Sequence, residues 1–263
     1  MPGPPWLILP TYNEAENIEP VVAAARATLA GAAPEGFRIL IVDDGSPDGT
    51  GAIADRLAAS HPGEVEVLHR AVRTGLGPAY LAGFGRALDG GAGFVCEMDA
   101  DLSHDPADLA RLLAAARAGA GLALGSRYVA GGGIADWGAL RRAISRGGSW
   151  YARRVLGVGV RDLTGGFKCY RAEVLEAIAL PTVRSHGYAF QVELTYRTLC
   201  AGFDVVEVPI VFRDRRRGES KMSWRIALEA AWLVPAIRES ARGAVRPAGA
   251  SAQAPAAARR SDA

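Results

Sequence analysis

The sequence is short of the features that mark several large classes of protein. Its 263 residues include only three cysteines, Cys96, Cys169 and Cys200. They form no C-x-x-C pair, which argues against a disulfide framework or a zinc site and fits a reducing cytoplasm. No apolar stretch reaches the roughly 18 residues needed to cross a bilayer. The early run Trp6-Leu7-Ile8-Leu9 is of strand length and ends at Pro10, unlike the long apolar segment of a secretion signal. The chain is therefore expected to be soluble or peripheral to a membrane. A formal net charge of +2 is too small for bulk attraction to nucleic acid, so no such partner is expected and any phosphate must be met by individually placed cations. Lysine is almost missing: of 30 basic residues only Lys168 and Lys221 are lysines. A GC-rich genome accounts for the arginine bias, and each surviving lysine is a mild hint that a compact ammonium is wanted at its position.

What is present is an ordinary globular composition, 49% apolar and 22% charged, sufficient for one large domain or two small ones. Up to about residue 125, short apolar runs alternate with helical patterns, the signature of a mostly parallel sheet flanked by helices, an α/β fold. Strands are expected at Trp6–Leu9, Arg38–Val42, Val65–His69, Gly93–Met98 and Leu122–Leu124. Helices are expected around Glu16–Leu29, Thr50–Ser60, Gly77–Leu88 and Pro106–Ala118, the last capped by Ser103 or Asp105 with Pro106 in its first turn. After Arg127 the pattern changes. Gly131-Gly132-Gly133 opens a loop, and Trp137–Leu156 mixes Trp, Leu, Ile and Val with Arg141, Arg142, Arg146, Arg153 and Arg154. That segment suits a membrane surface, or equally an ordinary surface helix with an apolar inner face. A strand-like run, Val205–Phe212, leads into the basic segment Arg213–Lys221 and a helix over Trp224–Glu239. From about Gly243 the Ala, Pro, Ser and Arg composition reads as a disordered tail, which leaves residues 1–242 as the folded unit and 243–263 outside it.

Polar chemistry collects where these strands end. The most informative stretch is Met98-Asp99-Ala100-Asp101, two carboxylates two residues apart after an apolar run. On a strand they would share one face at its carboxyl end, where open α/β sheets bind ligands. Two hard oxygen donors facing a diphosphate form a seat for Mg²⁺ or Mn²⁺, although a pair of solvated loop aspartates explains the tetrapeptide as well when it is taken alone. The first strand runs into Pro10-Thr11-Tyr12-Asn13-Glu14, and the second into Val42-Asp43-Asp44-Gly45-Ser46-Pro47-Asp48-Gly49-Thr50. Both would face the same crevice. Turn and cap chemistry accounts for Asp43, Asp44 and Asp48 one at a time; their shared edge favours a ligand site. His104 reads as a helix-start or packing residue before it reads as a catalytic one.

The blocks P-T-Y-N-E, V-D-D-G-S-P-D-G-T, M-D-A-D-L-S-H-D-P, G-S-R-Y, D-L-T-G-G-F and R-G-E-S-K occur in this order over residues 7–221. Together they resemble the dolichol or polyprenol phosphate mannosyltransferases, inverting enzymes of glycosyltransferase family 2 with a single-domain GT-A fold. The resemblance implies transfer of mannose from GDP-mannose to a polyprenyl monophosphate at the cytoplasmic face of a membrane. By motif, Pro10, Tyr12, Glu14, Val42 and Asp44 would hold the guanosine. Asp99 and Asp101, with the backbone of Ala100 between them, would meet Mg²⁺ or Mn²⁺ and the diphosphate. Asp101, Arg127 and Lys221 would carry catalysis, Arg127, Arg215 and Lys221 meeting donor or acceptor phosphates. The run Arg213–Lys221 reads as an ordinary solvated basic loop, or, with Gly218 and Ser220 permitting a tight turn, as a loop that closes over the donor and excludes water.

Two departures qualify this. Many relatives carry membrane spans after the catalytic domain and this sequence has none, so the lipid acceptor would be reached through a peripheral surface over Trp137–Leu156 and Trp224–Glu239, or through a separate membrane subunit. Relatives using UDP-glucose share several blocks, so a polyprenyl-phosphate glucosyltransferase stays open, as does a non-catalytic nucleotide-sugar-binding subunit. A processive polysaccharide synthase is disfavoured because Q-x-x-R-W is absent. A dinucleotide oxidoreductase is disfavoured because the first strand does not end in G-x-G-x-x-G.

Overall fold

The computed structural model describes residues 2–185, 187–214 and 232–241. In chain order these form β1 (Pro5–Thr11), α1 (Ile18–Ala32), β2 (Arg38–Asp43), α2 (Thr50–Ser60), β3 (Val65–His69), α3 (Leu76–Asp89), β4 (Phe94–Glu97), α4 (Asp108–Arg117), β5 (Leu122–Ser126), β6 (Gly133–Ile134), α5 (Ala139–Leu156), β7 (Lys168–Arg171), α6 (Ala172–Ala177), α7 (Gly187–Cys200), β8 (Val205–Pro209) and β9 (Val211–Phe212). Residues 232–241 add a last helix, α8. The main sheet has seven strands in the order β3-β2-β1-β4-β7-β5-β8. Its pairings are parallel except those of β7, which runs antiparallel between β4 and β5.

Both faces of the sheet are covered, which is why β1 is apolar along nearly its whole length and buried throughout. Alternation then sorts its side chains. Leu7 and Leu9 point into one core with Ile39, Ile41, Val21 and Leu112 beneath α1 and α4, whereas Trp6 and Ile8 point into the other with Leu40, Val42, Tyr80, Phe84 and Phe190 beneath α3 and α7. At Gly83 the backbone of α3 comes so near the sheet that a β-carbon would lie 2.4 Å from Ile8 Cγ2 and 3.3 Å from Val42 Cγ2.

The strand order reverses about β1, which has β2 on one side and β4 on the other. The register places Pro10 opposite Val42, Thr11 opposite Asp43, and Ile8 opposite Glu97. The loops leaving β1, β2 and β4 therefore open on one crevice at the carboxyl edge, the place where a doubly wound sheet binds ligands.

Several boundaries differ from expectation. β4 ends at Glu97, so Asp99 and Asp101 lie in the following loop and are not brought together by strand alternation; a positive φ of 61° at Leu102 turns the chain just beyond them. Helix α4 begins at Asp108, with Pro106 and Ala107 in a preceding turn whose Ala107 N–H donates to Asp105 Oδ1 at 3.0 Å. The run Val205–Phe212 breaks at buried Ile210, and β9 pairs with β6 in a separate small sheet. The helix expected over Trp137–Leu156 begins at Ala139. That expected over Trp224–Glu239 is described only from residue 232, and the tail 243–263 lies outside the described residues.

Gly83→Val is expected to lower the unfolding free energy by at least about 1–3 kcal/mol through overpacking against Ile8 and Val42. Urea denaturation followed by circular dichroism checks this, and an unchanged midpoint would show that α3 shifts away at no cost.

Candidate functional site

The loops after β1 and β2 are stitched into one rim. Asn13 N–H donates to Ser46 Oγ at 3.1 Å, Glu14 N–H to Thr50 Oγ1 at 2.9 Å, and Ala15 N–H to Asp48 Oδ2 at 3.1 Å. Burial works against ionisation of Asp48, but the hydrogen bonds from Thr50 and Ala15 outweigh it and hold the carboxyl below its ordinary range. Asp48 is thus a structural bracket, the turn chemistry its sequence suggests. Glu14 lies just before α1, and its Oε2 accepts from Asn17 Nδ2 at 2.7 Å. Pro10 is buried in the strand, and the Val42 side chain belongs to the core, so only the backbone of Val42 faces the rim.

Asp44 is buried and fully engaged. Its carboxylate accepts from Arg70 at 2.6 Å and from the backbone N–H groups of Thr74 and Gly75 at 3.2 and 3.0 Å. One turn of chain away, the Arg73 guanidinium lies 3.7 Å from the centre of the Tyr12 ring. The segment after β3 is therefore drawn over the two residues expected to meet a base. Sequence reasoning did not single out Arg70, Arg73 or Thr74; the usable signal was that R-A-V-R-T-G also follows a strand of the same edge.

The carboxylates after β4 occupy different settings. Asp101 is buried and its Oδ1 accepts from the Ser103 N–H at 3.0 Å; half-buried Asp99 accepts from the Tyr80 hydroxyl at 3.4 Å. Burial, reinforced by Asp99, keeps the Tyr80 hydroxyl protonated well above its usual range, so it remains a donor. Ala100 between them turns into the apolar core. Among the described residues no group of three or more acidic, cysteine or histidine side chains could by itself hold a metal ion. A pair of carboxylates still suits Mg²⁺, which is commonly held by one or two carboxylates and completed by substrate phosphates and water. His104 is buried against Phe167 and Phe212, ring centres 5.0 and 5.2 Å away. Burial lowers its pKa to about 4 against the opposing pull of Asp101, so it is a neutral packing residue near pH 7.

Arg127, expected at the phosphates, is engaged within the protein. Its Nε and Nη2 donate to the two oxygens of Asp162, each at 2.7 Å, its backbone N–H donates to the same carboxylate at 2.9 Å, and Nη2 also reaches Thr164 Oγ1 at 2.9 Å. Both charges are buried. The guanidinium fork thus clasps the D-L-T-G-G-F block to the end of β5, and its charge is answered within the protein instead of waiting for phosphate. Arg215 and Lys221 lie outside the described residues.

Under Asp99 sits a second feature that sequence reasoning did not assemble. Glu97 and Lys168 face each other across β4 and β7, with Nζ 3.4 Å from Oε1 and neither side chain exposed. Lys168 also donates to the Gln191 carbonyl at 3.1 Å and to Gln191 Oε1. Burial raises the Glu97 pKa to about 7, with Lys168 pulling the other way. The scarcity of lysine pointed to position 168; nothing in the sequence named its partners.

The chain matches the family model described as glycosyl transferase family 2 over residues 6–179, and it belongs to that family. It is 49% identical over 245 residues to a polyprenol monophosphomannose synthase of Mycolicibacterium smegmatis, covering 91% of each chain. It is also 49% identical over 223 residues to an undecaprenyl-phosphate mannosyltransferase of Micrococcus luteus, covering 85% of this chain and 89% of that one. In architecture it is similar to glucosyl-3-phosphoglycerate synthase of Mycobacterium tuberculosis solved with Mn²⁺, UDP and glucosyl-3-phosphoglycerate, with a TM-score of 0.64 and 18% identity over 94% of this chain and 82% of that one. The fold is accordingly GT-A.

Arg127→Ala and Asp162→Ala are each expected to cost about 3–5 kcal/mol of stability, because each strands a buried charge. Arg127→Lys should recover only part of this, since an ammonium cannot span both oxygens. Denaturant unfolding measures all three, and a stable Arg127→Ala protein would restore Arg127 to a ligand-facing role.

Proposed function

We propose that the protein transfers mannose from GDP-mannose to the phosphate of a polyprenyl monophosphate, with inversion at the anomeric carbon. The observation that carries this reading is the 49% identity, over about nine-tenths of the chain, to the polyprenol monophosphomannose synthase. The crevice at the reversal of strand order supplies the place. An acceptor oxygen of the phosphate monoester attacks the anomeric carbon as the bond to the diphosphate breaks, and the bonding pair leaves with GDP. The second pKa of a phosphate monoester is about 6, so the nucleophile is already largely ionised near neutrality. No strong protein base is needed, which agrees with a buried, neutral His104 beside the carboxylates.

In this reading Pro10, Tyr12, Glu14, Val42 through its backbone, and Asp44 receive the guanosine, and the Arg70–Thr74 segment is the part of the rim that exchanges partners when a base arrives. Asp99 and Asp101 would hold Mg²⁺ or Mn²⁺. When bound, the ion supplies electrostatic stabilisation of the departing diphosphate. Arg215 and Lys221 are assigned to the phosphates. Arg127 acts from behind, fixing the Asp162–Thr164 turn. The folded catalytic unit is assigned to residues 1–242.

The route to a lipid acceptor is a peripheral surface on α5. This helix turns Ser145, Ser149, Ala152 and Leu156 inward and presents Leu140, Ile144 and Trp150 outward at 75, 39 and 62% exposure. Exposed Arg142, Arg146 and Arg154 lie on the same helix. An outward apolar stripe beside cations suits the headgroup region of an anionic membrane. No helix among the described residues is long and apolar enough to cross one.

Purified protein with Mg²⁺ or Mn²⁺ and a polyprenyl monophosphate is expected to form labelled glycolipid from GDP-mannose, and to lose that activity with chelator. Asp101→Ala should reduce it at least 100-fold, on the order of what removal of a key charge-stabilising group costs, without unfolding the protein. Product from UDP-glucose alone would replace the sugar, and no product from either donor would favour a non-catalytic subunit. Trp150→Glu is expected to weaken sedimentation with anionic vesicles about tenfold, from the loss of one buried aromatic, while sparing transfer to a short soluble acceptor. Unchanged vesicle binding would pass the membrane contact to a separate subunit.

A further inference from the structure

The Glu97–Lys168 pair fixes more than the sheet. Lys168 has only donors to offer, so the Gln191 oxygen it contacts must be Oε1, and the amide nitrogen Nε2 is turned away from the ammonium. Gln191 is 97% buried, yet no acceptor meets its Nε2 at full hydrogen-bond geometry, and Glu97 is the one acceptor near enough to engage it. A buried amide left in this way costs stability unless a ligand completes it. The amide carries two N–H groups. Glu97 lies within reach of the side chain and accounts for one.

The other has a place to go. A β-carbon at Gly166 would stand 3.4 Å from Gln191 Nε2 and 3.9 Å from Asp99 Oδ2. The absent side chain of Gly166 thus leaves a small cradle walled by an amide donor on one side and a carboxylate acceptor on the other. A hydroxyl is the group that satisfies both, because it accepts from the amide and donates to the carboxylate in the same position. A phosphate oxygen has no proton to give Asp99 and would bring a like charge against it. A carboxylate offers about four lone-pair sites, so a hydroxyl and a cation can share Asp99.

We propose that Gln191 is a specificity-determining residue whose Nε2, with Asp99 across the Gly166 cradle, binds one hydroxyl of the transferred sugar. This rests on the glycosyl-donor reading above. It also gives the buried ion pair a purpose: Lys168, anchored by Glu97, sets which end of the amide faces the sugar.

The test pairs two variants with deoxy donors. Gln191→Glu keeps an oxygen for Lys168 and removes the donor. Gly166→Ala leaves the Lys168 contacts alone and fills the cradle. Each is compared with the unaltered protein for transfer from GDP-mannose and from its four monodeoxy forms. Calorimetric binding of GDP-mannose and of GDP is measured in parallel. The unaltered protein is expected to lose about 10–100-fold in kcat/KM on removal of one particular hydroxyl, and both variants to lose a similar factor with the full sugar but nothing more when that hydroxyl is removed. GDP affinity should not move, while the extra affinity conferred by the sugar should fall. Equal deoxy penalties in all three proteins, or parallel losses of GDP and GDP-mannose binding, would overturn the proposal. If the unaltered protein uses UDP-glucose instead, the mannose reading fails while the same comparison with deoxy-glucose donors still judges the cradle. If no transfer occurs at all, the binding difference decides it.

Discussion

The antiparallel insertion of β7 between β4 and β5 is the constraint on which the second half of the molecule depends, and its anchor is a pair of charges withdrawn from water. Glu97 and Lys168 occupy opposed positions in the β4–β7 ladder. Burying either charge alone costs several kcal/mol, so neither is tolerable without the other. A one-residue slip of β7 would turn Lys168 to the opposite face and leave Glu97 unanswered, which specifies register more strictly than four residues of strand would by apolar contact. The same ladder opposes Cys96 to Cys169 and Val95 to Tyr170, and β7 passes directly into α6. The order of the later elements is therefore tied, through one ammonium, to the strand that leads into the loop of Asp99 and Asp101.

The amino-terminal half was legible because its elements obey simple periods. β3 and α2 match their expected limits, and β1, β2, α1 and α3 differ only at their ends. In the second half α5 and β8 fall where expected, whereas β7, α6 and α7 were not legible, β7 and α7 for a shared physical reason: they bury polar groups. β7 reads K-C-Y-R, and α7 encloses Gln191, Glu193, Thr195, Arg197 and Thr198. Apolar periodicity fails where charge is buried by pairing, as with Arg197 and Glu193 at 2.6 Å. Of the candidate site, the strand-end rule located Tyr12, Glu14, Asp44, Asp99 and Asp101 around one crevice. It did not foresee that Arg70 would already hold Asp44, or that Asp162 would already hold Arg127, because a motif gives residue types and only the fold gives their partners.

Those partners have a collective electrostatic effect. Arg70 is neutralised by Asp44, Arg127 by Asp162 and Lys168 by Glu97. These three cations therefore contribute little net field at the crevice. Any attraction of the crevice for an anion must then come from groups outside these three pairs. The wiring of three ion pairs thus gives these cations to the fold, and bracing the sheet and drawing in an anion become tasks for different side chains.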